Sequence, residues 1–226
     1  MTETDAEHRA FKDALYGQFA RVGGALASER RLELLDLLAQ GPRHVEALAA
    51  ETGVSVANVS RHLQMLKAAR LVDAERDGTR VFYRLADESV ARLWLALRET
   101  AESRIAEVAE LARRHAVGEH AGDVISREEY EALRAADGAV LVDVRPRAEY
   151  EAGHLPEAIS VPLEALAGAA DALPRDRRIV AYCRGAYCLF AGEAVALLRE
   201  RGFDAVRLED GWLEWRAGAQ PAAPAR

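Results

Sequence analysis

The sequence of 226 residues has almost no cysteine: there are two, Cys183 and Cys188, and both fall in the short stretch AYCRGAYCLF. So sparse a supply excludes a disulfide-stapled fold, and in a reducing compartment a close pair points to redox, metal or catalytic chemistry. Long apolar runs are missing too. No stretch approaches the roughly 18 uninterrupted apolar residues of a membrane span. The first residues, MTETDAEHRAFKDALYGQF, carry no basic segment followed by an apolar one. The expectation is a cytoplasmic protein with no membrane contact. Internal repeats are absent as well. A net charge of −7 excludes a protein that coats nucleic acid over its whole surface. Most of the acidity lies in the second half, and between Arg43 and Arg84 basic residues outnumber acidic ones, which leaves room for a local basic face.

At this length the chain divides into two domains of about 100 residues, each able to bury a core. Phe11, Leu15, Phe19 and Val22 recur at helical spacing. SERRLELLDLLAQGP follows, with Ser28 placed as N-cap and Gly41-Pro42 as the stop. HVEALAAETG and VSVANVSRHLQMLKAARLV are two short amphipathic stretches separated by Gly53, with Ser55 placed to cap the second. VDAERDGTRVFYRL then reads as a hairpin around Asp77-Gly78. From Glu88 to His115 one long helix is expected, its apolar stripe running through Val90, Leu93, Trp94, Leu97, Ala101, Ile105, Val108 and Leu111 and needing a partner to bury it. Residues 117–123, VGEHAGD, read as a linker. Beyond them strands and helices alternate, which implies a parallel α/β sheet. Residues 219–226 are small and Pro-rich and are expected to be a disordered tail. The expected domains are therefore 1–116 and 124–218, a mainly-α winged helix-turn-helix followed by an α/β domain.

In a winged helix the second helix of the pair lies in the major groove and the hairpin touches the DNA backbone or minor groove. That helix would run from Ser55 to about Ala68. Ser55, Asn58, Ser60, Arg61 and His62 suit hydrogen bonds to base edges and phosphates, with Arg76 and Arg80 on the wing. Leu63 and Leu66 would face inward. The S-x-x-x-x-S-x-H-L-x-x-L-x-x-A pattern together with the wing resembles the ArsR-type bacterial repressor family, over roughly Leu26 to Leu85. The resemblance implies a homodimer, built from the first helix and the long later one, that binds double-stranded DNA at an inverted-repeat operator. One departure is Arg70, where the family usually has Gly at the helix end; a non-Gly residue in a left-handed cap costs of order 1 kcal/mol. This half has no cysteine, which excludes a thiolate metal site, and His8, His44, His62, His115 and His120 are scattered. No metal and no cofactor are expected.

A reactive thiol is well placed at the end of a buried strand that turns into a helix N-terminus, where amides and the helix dipole stabilise the thiolate. RIVAY before Cys183 and LFAGEAVALLRERG after Cys188 have that order, with Gly185 allowing the tight loop and Arg184 adding charge near the sulfur. This segment, with LVDVRPRAEYEAGHLPEAISVP and LEDGWLEW, resembles the rhodanese family from about Ile125 to Ala217. The resemblance implies that Cys183 is an exposed sulfur acceptor carrying a persulfide, cradled by the N–H groups of Arg184, Gly185, Ala186, Tyr187 and Cys188. By it, Asp143 and Arg145 stiffen the surroundings, and Glu149 and His154 belong to the framework. The loop departs from the family by ending in Cys188, where many thiosulfate-using members have a basic residue. That puts thiosulfate turnover in doubt and offers a resolving thiol.

The expected function is a DNA-binding repressor controlled by sulfane sulfur on Cys183, the donor being thiosulfate, polysulfide or a persulfide. One alternative is a working rhodanese-type sulfurtransferase with separately controlled DNA binding. A weaker one is an arsenic-responsive dithiol regulator.

Overall fold

The computed structural model describes residues 3–116, 124–185 and 187–218. The expected linker 117–123, the expected tail 219–226 and Ala186 lie outside the described residues, as do the side chains of His115 and His120. The chain forms two compact units, Met1–Trp94 and Leu95–Arg226. Among the described residues no helix is long and apolar enough to cross a membrane.

The first unit contains α1 (Glu3–Leu26), α2 (Glu29–Ala39), β1 (Arg43–His44), α3 (Val45–Thr52), α4 (Val56–Ala68), β2 (Val72–Asp77), β3 (Arg80–Leu85) and the start of α5 (Glu88–Arg104). Strand β1 adds to the expected hairpin, giving an antiparallel sheet of order β1-β3-β2. Asp77 pairs with Arg80, so the two-residue turn is Gly78-Thr79, with Gly78 at φ 59°. Of the two serines expected to cap helices, Ser55 accepts from the Asn58 N–H at 3.4 Å, whereas Ser28 occupies the cap position of α2 without a side-chain bond. The core gathers Leu34, Leu35, Leu48, Val59, Leu63, Leu66, Leu71 and Tyr83. Val59, Leu63 and Leu66 form one i, i+4, i+7 stripe of α4, as an amphipathic helix on a core requires.

Helix α4 closes with a Schellman motif. Leu71 N–H donates to Leu66 O at 3.0 Å and Arg70 N–H to Lys67 O at 2.9 Å, the two bonds that satisfy the last carbonyls. Arg70 is left-handed at φ 61°, so the turn keeps the family geometry and places a side chain where Gly is the unstrained residue.

The expected single helix from Glu88 to His115 is instead two, α5 and α6 (Ala106–Ala116), separated at Ile105. Ile105 N–H donates to Ala101 O at 2.8 Å and Val108 N–H to Ile105 O at 3.0 Å, so the turns continue across the break. Helix kinks are usually marked by Pro or Gly. Neither is present, and the apolar period passes through uninterrupted.

The second unit is a five-stranded sheet of order β4-β8-β7-β5-β6, all pairings parallel. The strands are β4 (Val124–Ile125), β5 (Ala139–Asp143), β6 (Ile159–Ser160), β7 (Arg178–Tyr182) and β8 (Ala205–Leu208). Helices α7 (Arg127–Ala135), α8 (Arg147–Ala152), α9 (Leu163–Ala169), α10 (Phe190–Glu200) and α11 (Trp212–Gly218) connect or follow them. Side chains alternate along a strand, and β7 sorts its residues accordingly. Ile179, Ala181 and Cys183 join the core beneath α9 and α10, while Val180 and Tyr182 join the opposite core with Tyr130, Leu155 and Trp212. Cys183 is thus directed inward by the strand's own period.

Replacing Arg70 with Gly should relieve the left-handed penalty, on the order of 1 kcal/mol. Thermal unfolding followed by circular dichroism should show a rise in the midpoint of the first unit; an unchanged or lowered midpoint would mean that the arginine side chain contributes enough to offset the strain.

Candidate functional site

Two surfaces hold the residues singled out by sequence. On α4, Asn58 and Arg61 are exposed, Ser60 and His62 are half-buried, and Ser55 is exposed with its hydroxyl engaged at the helix cap. Burial first, then the charges of Arg31, Arg61 and Arg30, hold the His62 imidazole below the ordinary histidine range. On the wing Arg76 and Arg80 are exposed, and Arg76 Nε donates to Gly78 O at 3.2 Å. Sequence reasoning missed Arg31, which is only 7% exposed. It donates to Ala25 O at 2.5 Å, Gly24 O at 2.9 Å and Ala27 O at 3.2 Å. A guanidinium on the carbonyls that end α1 complements the helix dipole and fixes the α1–α2 turn.

In the second unit Cys183 and Cys188 are bonded to each other as a disulfide. The expected exposed thiol at the mouth of the loop is therefore corrected: Cys183 is 3% exposed, because β7's alternation turns it into the core. Its partner Cys188 is half-buried. The Cys188 N–H donates to Gly185 O at 3.0 Å, so this amide is committed to the loop's own turn and is not free to cradle a sulfur.

A network of buried polar groups supports the loop. Asp143 and Arg145 are both fully buried and paired at 2.6 Å, with the Arg145 amide also donating to Asp143 Oδ1 at 3.0 Å. Burial opposes the guanidinium charge, but the hydrogen bonds and charge of Asp143 outweigh it and hold Arg145 above its ordinary value. Arg145 Nη2 reaches Gly153 O at 2.7 Å. Tyr182 Oη donates to Asp143 Oδ2 at 2.5 Å and accepts from Leu155 N–H at 3.1 Å. Burial, then the adjacent carboxylate, push its phenol far above the usual tyrosine range. Asp143 and Arg145 thus tie β5 to β7 and to the turn at 153–155.

Arg184 departs from expectation. Its Nε lies 3.0 Å and 3.1 Å from the two oxygens of Glu149, and its Nη2 2.5 Å from one of them. Glu149 is 2% exposed. The guanidinium is neutralised by that carboxylate and serves as a strut from the loop to α8. His154 is exposed, stacked on Tyr150 with ring centroids 3.8 Å apart, and its Nδ1–H donates to Tyr150 O at 2.9 Å.

The far side of the loop rests on the segment 211–214. Trp212 N–H donates to Cys183 O at 3.1 Å, and Gly211 N–H donates to Glu214 Oε2 at 3.0 Å. A Cβ on Gly211 would lie 2.2 Å from Gly185 N, and one on Gly185 would lie 2.7 Å from Glu214 Oε1. Gly211 is therefore demanded by close approach to backbone, whereas at Gly185 the neighbour is the end of the Glu214 side chain. Glu214 in turn is bonded by Arg98 Nη2 from α5. Tyr187, 46% exposed, has the Arg98 guanidinium 5.9 Å from its ring centre; burial first, then the Glu102 carboxylate of α5, push the phenol up to about 12. Sequence reasoning missed Arg98, Glu102 and Glu214, because no local spacing signals a contact across so many residues.

Two family models match the chain: Rhodanese-like domain over residues 126–218, and Bacterial regulatory protein, arsR family over residues 28–74. The chain is 50% identical over 210 residues to the HTH-type transcriptional regulator Rv0324 of Mycobacterium tuberculosis, covering 93% of this chain and 92% of that protein. It is 44% identical over 68 residues to the HTH-type transcriptional regulator KmtR of the same organism, 30% of this chain and 52% of that protein. Among solved structures, the homodimeric winged helix-turn-helix DNA-binding domain of Mb0332 from Mycobacterium bovis is 52% identical. It covers 42% of this chain and 87% of that one at a TM-score of 0.40.

Substituting Gly211 with Ala should force the backbone at 184–185 to shift and destabilise the second unit by about 1–3 kcal/mol, the range of overpacking. Denaturant unfolding should show the loss in that unit while the helical signal of the first unit keeps its midpoint. A silent substitution would mean that the 211–214 segment does not hold the loop.

Proposed function

Because the chain belongs to the ArsR family of HTH-type transcriptional regulators and carries a C-terminal rhodanese-like domain, we propose that it is a repressor whose DNA affinity is set by the state of Cys183 and Cys188. The observation that carries this reading is the bond joining the two sulfurs within one strand-to-helix loop. In the open form, the Cys183 thiolate attacks the sulfane sulfur of a persulfide or polysulfide. The donor's S–S bond breaks, the donor leaves as a thiol, and Cys183 carries the persulfide. Cys188 then attacks the Cys183 sulfur, the outer sulfur leaves as sulfide with a proton, and the 183–188 disulfide remains.

Donor preference follows from Arg184. Its charge is consumed by Glu149, so the loop lacks the spare cation that a doubly charged thiosulfate needs, and an organic persulfide or polysulfide suits it better. Cys183 is sealed in the bonded form, which means that the donor acts on the open one.

On the DNA side, α4 would lie in the major groove with Asn58 and Arg61 at base edges and phosphates, supported by Ser60 and His62, and with Arg76 and Arg80 of the wing along the backbone. A homodimer on an inverted repeat is supported by the large apolar side chains that α1 leaves exposed, Phe11, Tyr16 and Phe19, which need a partner to leave water.

The test pairs mass spectrometry with DNA binding on the same samples, using a duplex enriched from a random pool by the reduced protein. Polysulfide should convert the wild type to the 183–188 disulfide and change affinity about tenfold or more, within the usual span of coupling between sites. Cys188→Ser should stop at a one-sulfur adduct on Cys183. Cys183→Ser should gain no sulfur and keep its affinity; release from DNA in that variant would overturn the reading.

A further inference from the structure

The cysteine loop is walled by carboxylates. On one side buried Glu149 of α8 takes both Nε and Nη2 of Arg184, the residue next to Cys183. On the other, Glu214 of α11 stands so close that a Cβ on Gly185 would lie 2.7 Å from its Oε1 and 3.2 Å from its Oε2. The Gly211 N–H at 3.0 Å and Arg98 hold Glu214 there, and Arg98 also pairs with Glu102 at 3.2 Å. Each of the two arginines is thus matched by at least one carboxylate.

A loop that runs from a strand end into a helix start ordinarily suits an anion, because main-chain amides and the helix dipole both favour negative charge. Here that tendency is opposed. An anion seated over Gly185 has the Glu214 carboxylate beside it. Arg184 answers a new negative charge only by giving up Glu149, and a buried carboxylate left without its partner is costly. The Glu214 side chain is 16% exposed, so water and salt screen its repulsion less than between charges on the open surface.

We propose that Glu149 and Glu214 set the charge selectivity of the Cys183–Cys188 pair, admitting uncharged or cationic sulfur compounds and turning away anionic ones. This deepens the reading above by naming the class of compound that acts on the pair. It rests only on the bond being reachable at half-buried Cys188; neither sulfur transfer nor DNA binding enters it. The compound that reopens the bond is then a thiol with no carboxylate or sulfonate near its sulfur. Reopening consumes two such thiols. The thiolate of the first bonds to one protein sulfur as the 183–188 bond breaks, and the second carries the first away as a small disulfide. The cysteines gain two electrons and two protons, and the thiols lose them.

The test is the rate at which three thiols of similar size reduce the full-length disulfide form. Cysteamine carries a positive charge away from its sulfur, 2-mercaptoethanol none and 2-mercaptoethanesulfonate a negative one. Rates are expressed per thiolate, with freed cysteines trapped by iodoacetamide and counted by mass spectrometry. In the wild type at low salt cysteamine should outpace 2-mercaptoethanesulfonate roughly tenfold, the scale of steering by local charge. The gap should narrow severalfold at about 0.5 M sodium chloride. Glu149→Gln and Glu214→Gln each keep an acceptor in place and should cut the ratio about threefold. Glu164→Gln, exposed on α9, changes the net charge equally and should leave the ratio as in wild type. Alike wild-type rates for the three thiols, no reduction by any of them, a gap indifferent to salt, or a ratio that neither loop variant moves overturns the proposal. The salt arm uses the wild type alone and decides even where a variant does not fold. Charge selectivity without sulfur loading or a DNA response defeats the functional reading alone; a DNA response with alike rates defeats only this proposal.

Discussion

The second unit is organised around a carboxylate and a guanidinium that never meet water. Asp143 and Arg145 are both fully buried, and a buried ion pair is poor evidence of net stability because desolvation opposes the attraction. Its value here is geometric. One carboxylate collects the Arg145 amide, the Arg145 side chain and the Tyr182 hydroxyl, and the same guanidinium captures Gly153 O. The ends of two adjacent strands and the turn beside them are thus locked to a single point. Removing either charge would leave the other stranded, at a cost of roughly 3–5 kcal/mol. Glu149 and Arg184 form a second such pair one layer out, and the cysteine loop hangs from it.

The two units solve different problems with the same economy. In the first, a buried arginine closes the carbonyl end of one helix so that the next can turn, and a left-handed arginine closes α4. In the second, buried Arg145 ties a strand end to the neighbouring turn and half-buried Arg184 ties the loop to a helix. Helix α5 belongs to both solutions: its apolar start is core in one unit, and its charged continuation is scaffold for the cysteine loop in the other.

Much of this was legible in the sequence because it is local. The stripe Val59, Leu63, Leu66 follows from helical period, the hairpin from Asp77-Gly78, the parallel sheet from alternating elements, and the strain at Arg70 from the missing glycine. Other features have no local trace. Arg98 meets Glu214 across 116 positions and Arg184 meets Glu149 across 35, and a charge that will be buried looks no different in a sequence from one that will be solvated. The role of Arg184 was misread for that reason: its neighbours in sequence suggested a cation beside the sulfur, while the fold supplies a distant carboxylate. The break at Ile105 escaped because the apolar period runs through it.

The unequal depth of the two cysteines gives their bond a direction. In the bonded form Cys183 ends a strand flanked on both sides by others and lies in the core, whereas Cys188 is half-buried at the rim. A thiol arriving from solvent therefore meets the outer sulfur first, forms its mixed disulfide there and expels the inner one as the leaving group. The core cysteine is freed without ever being touched.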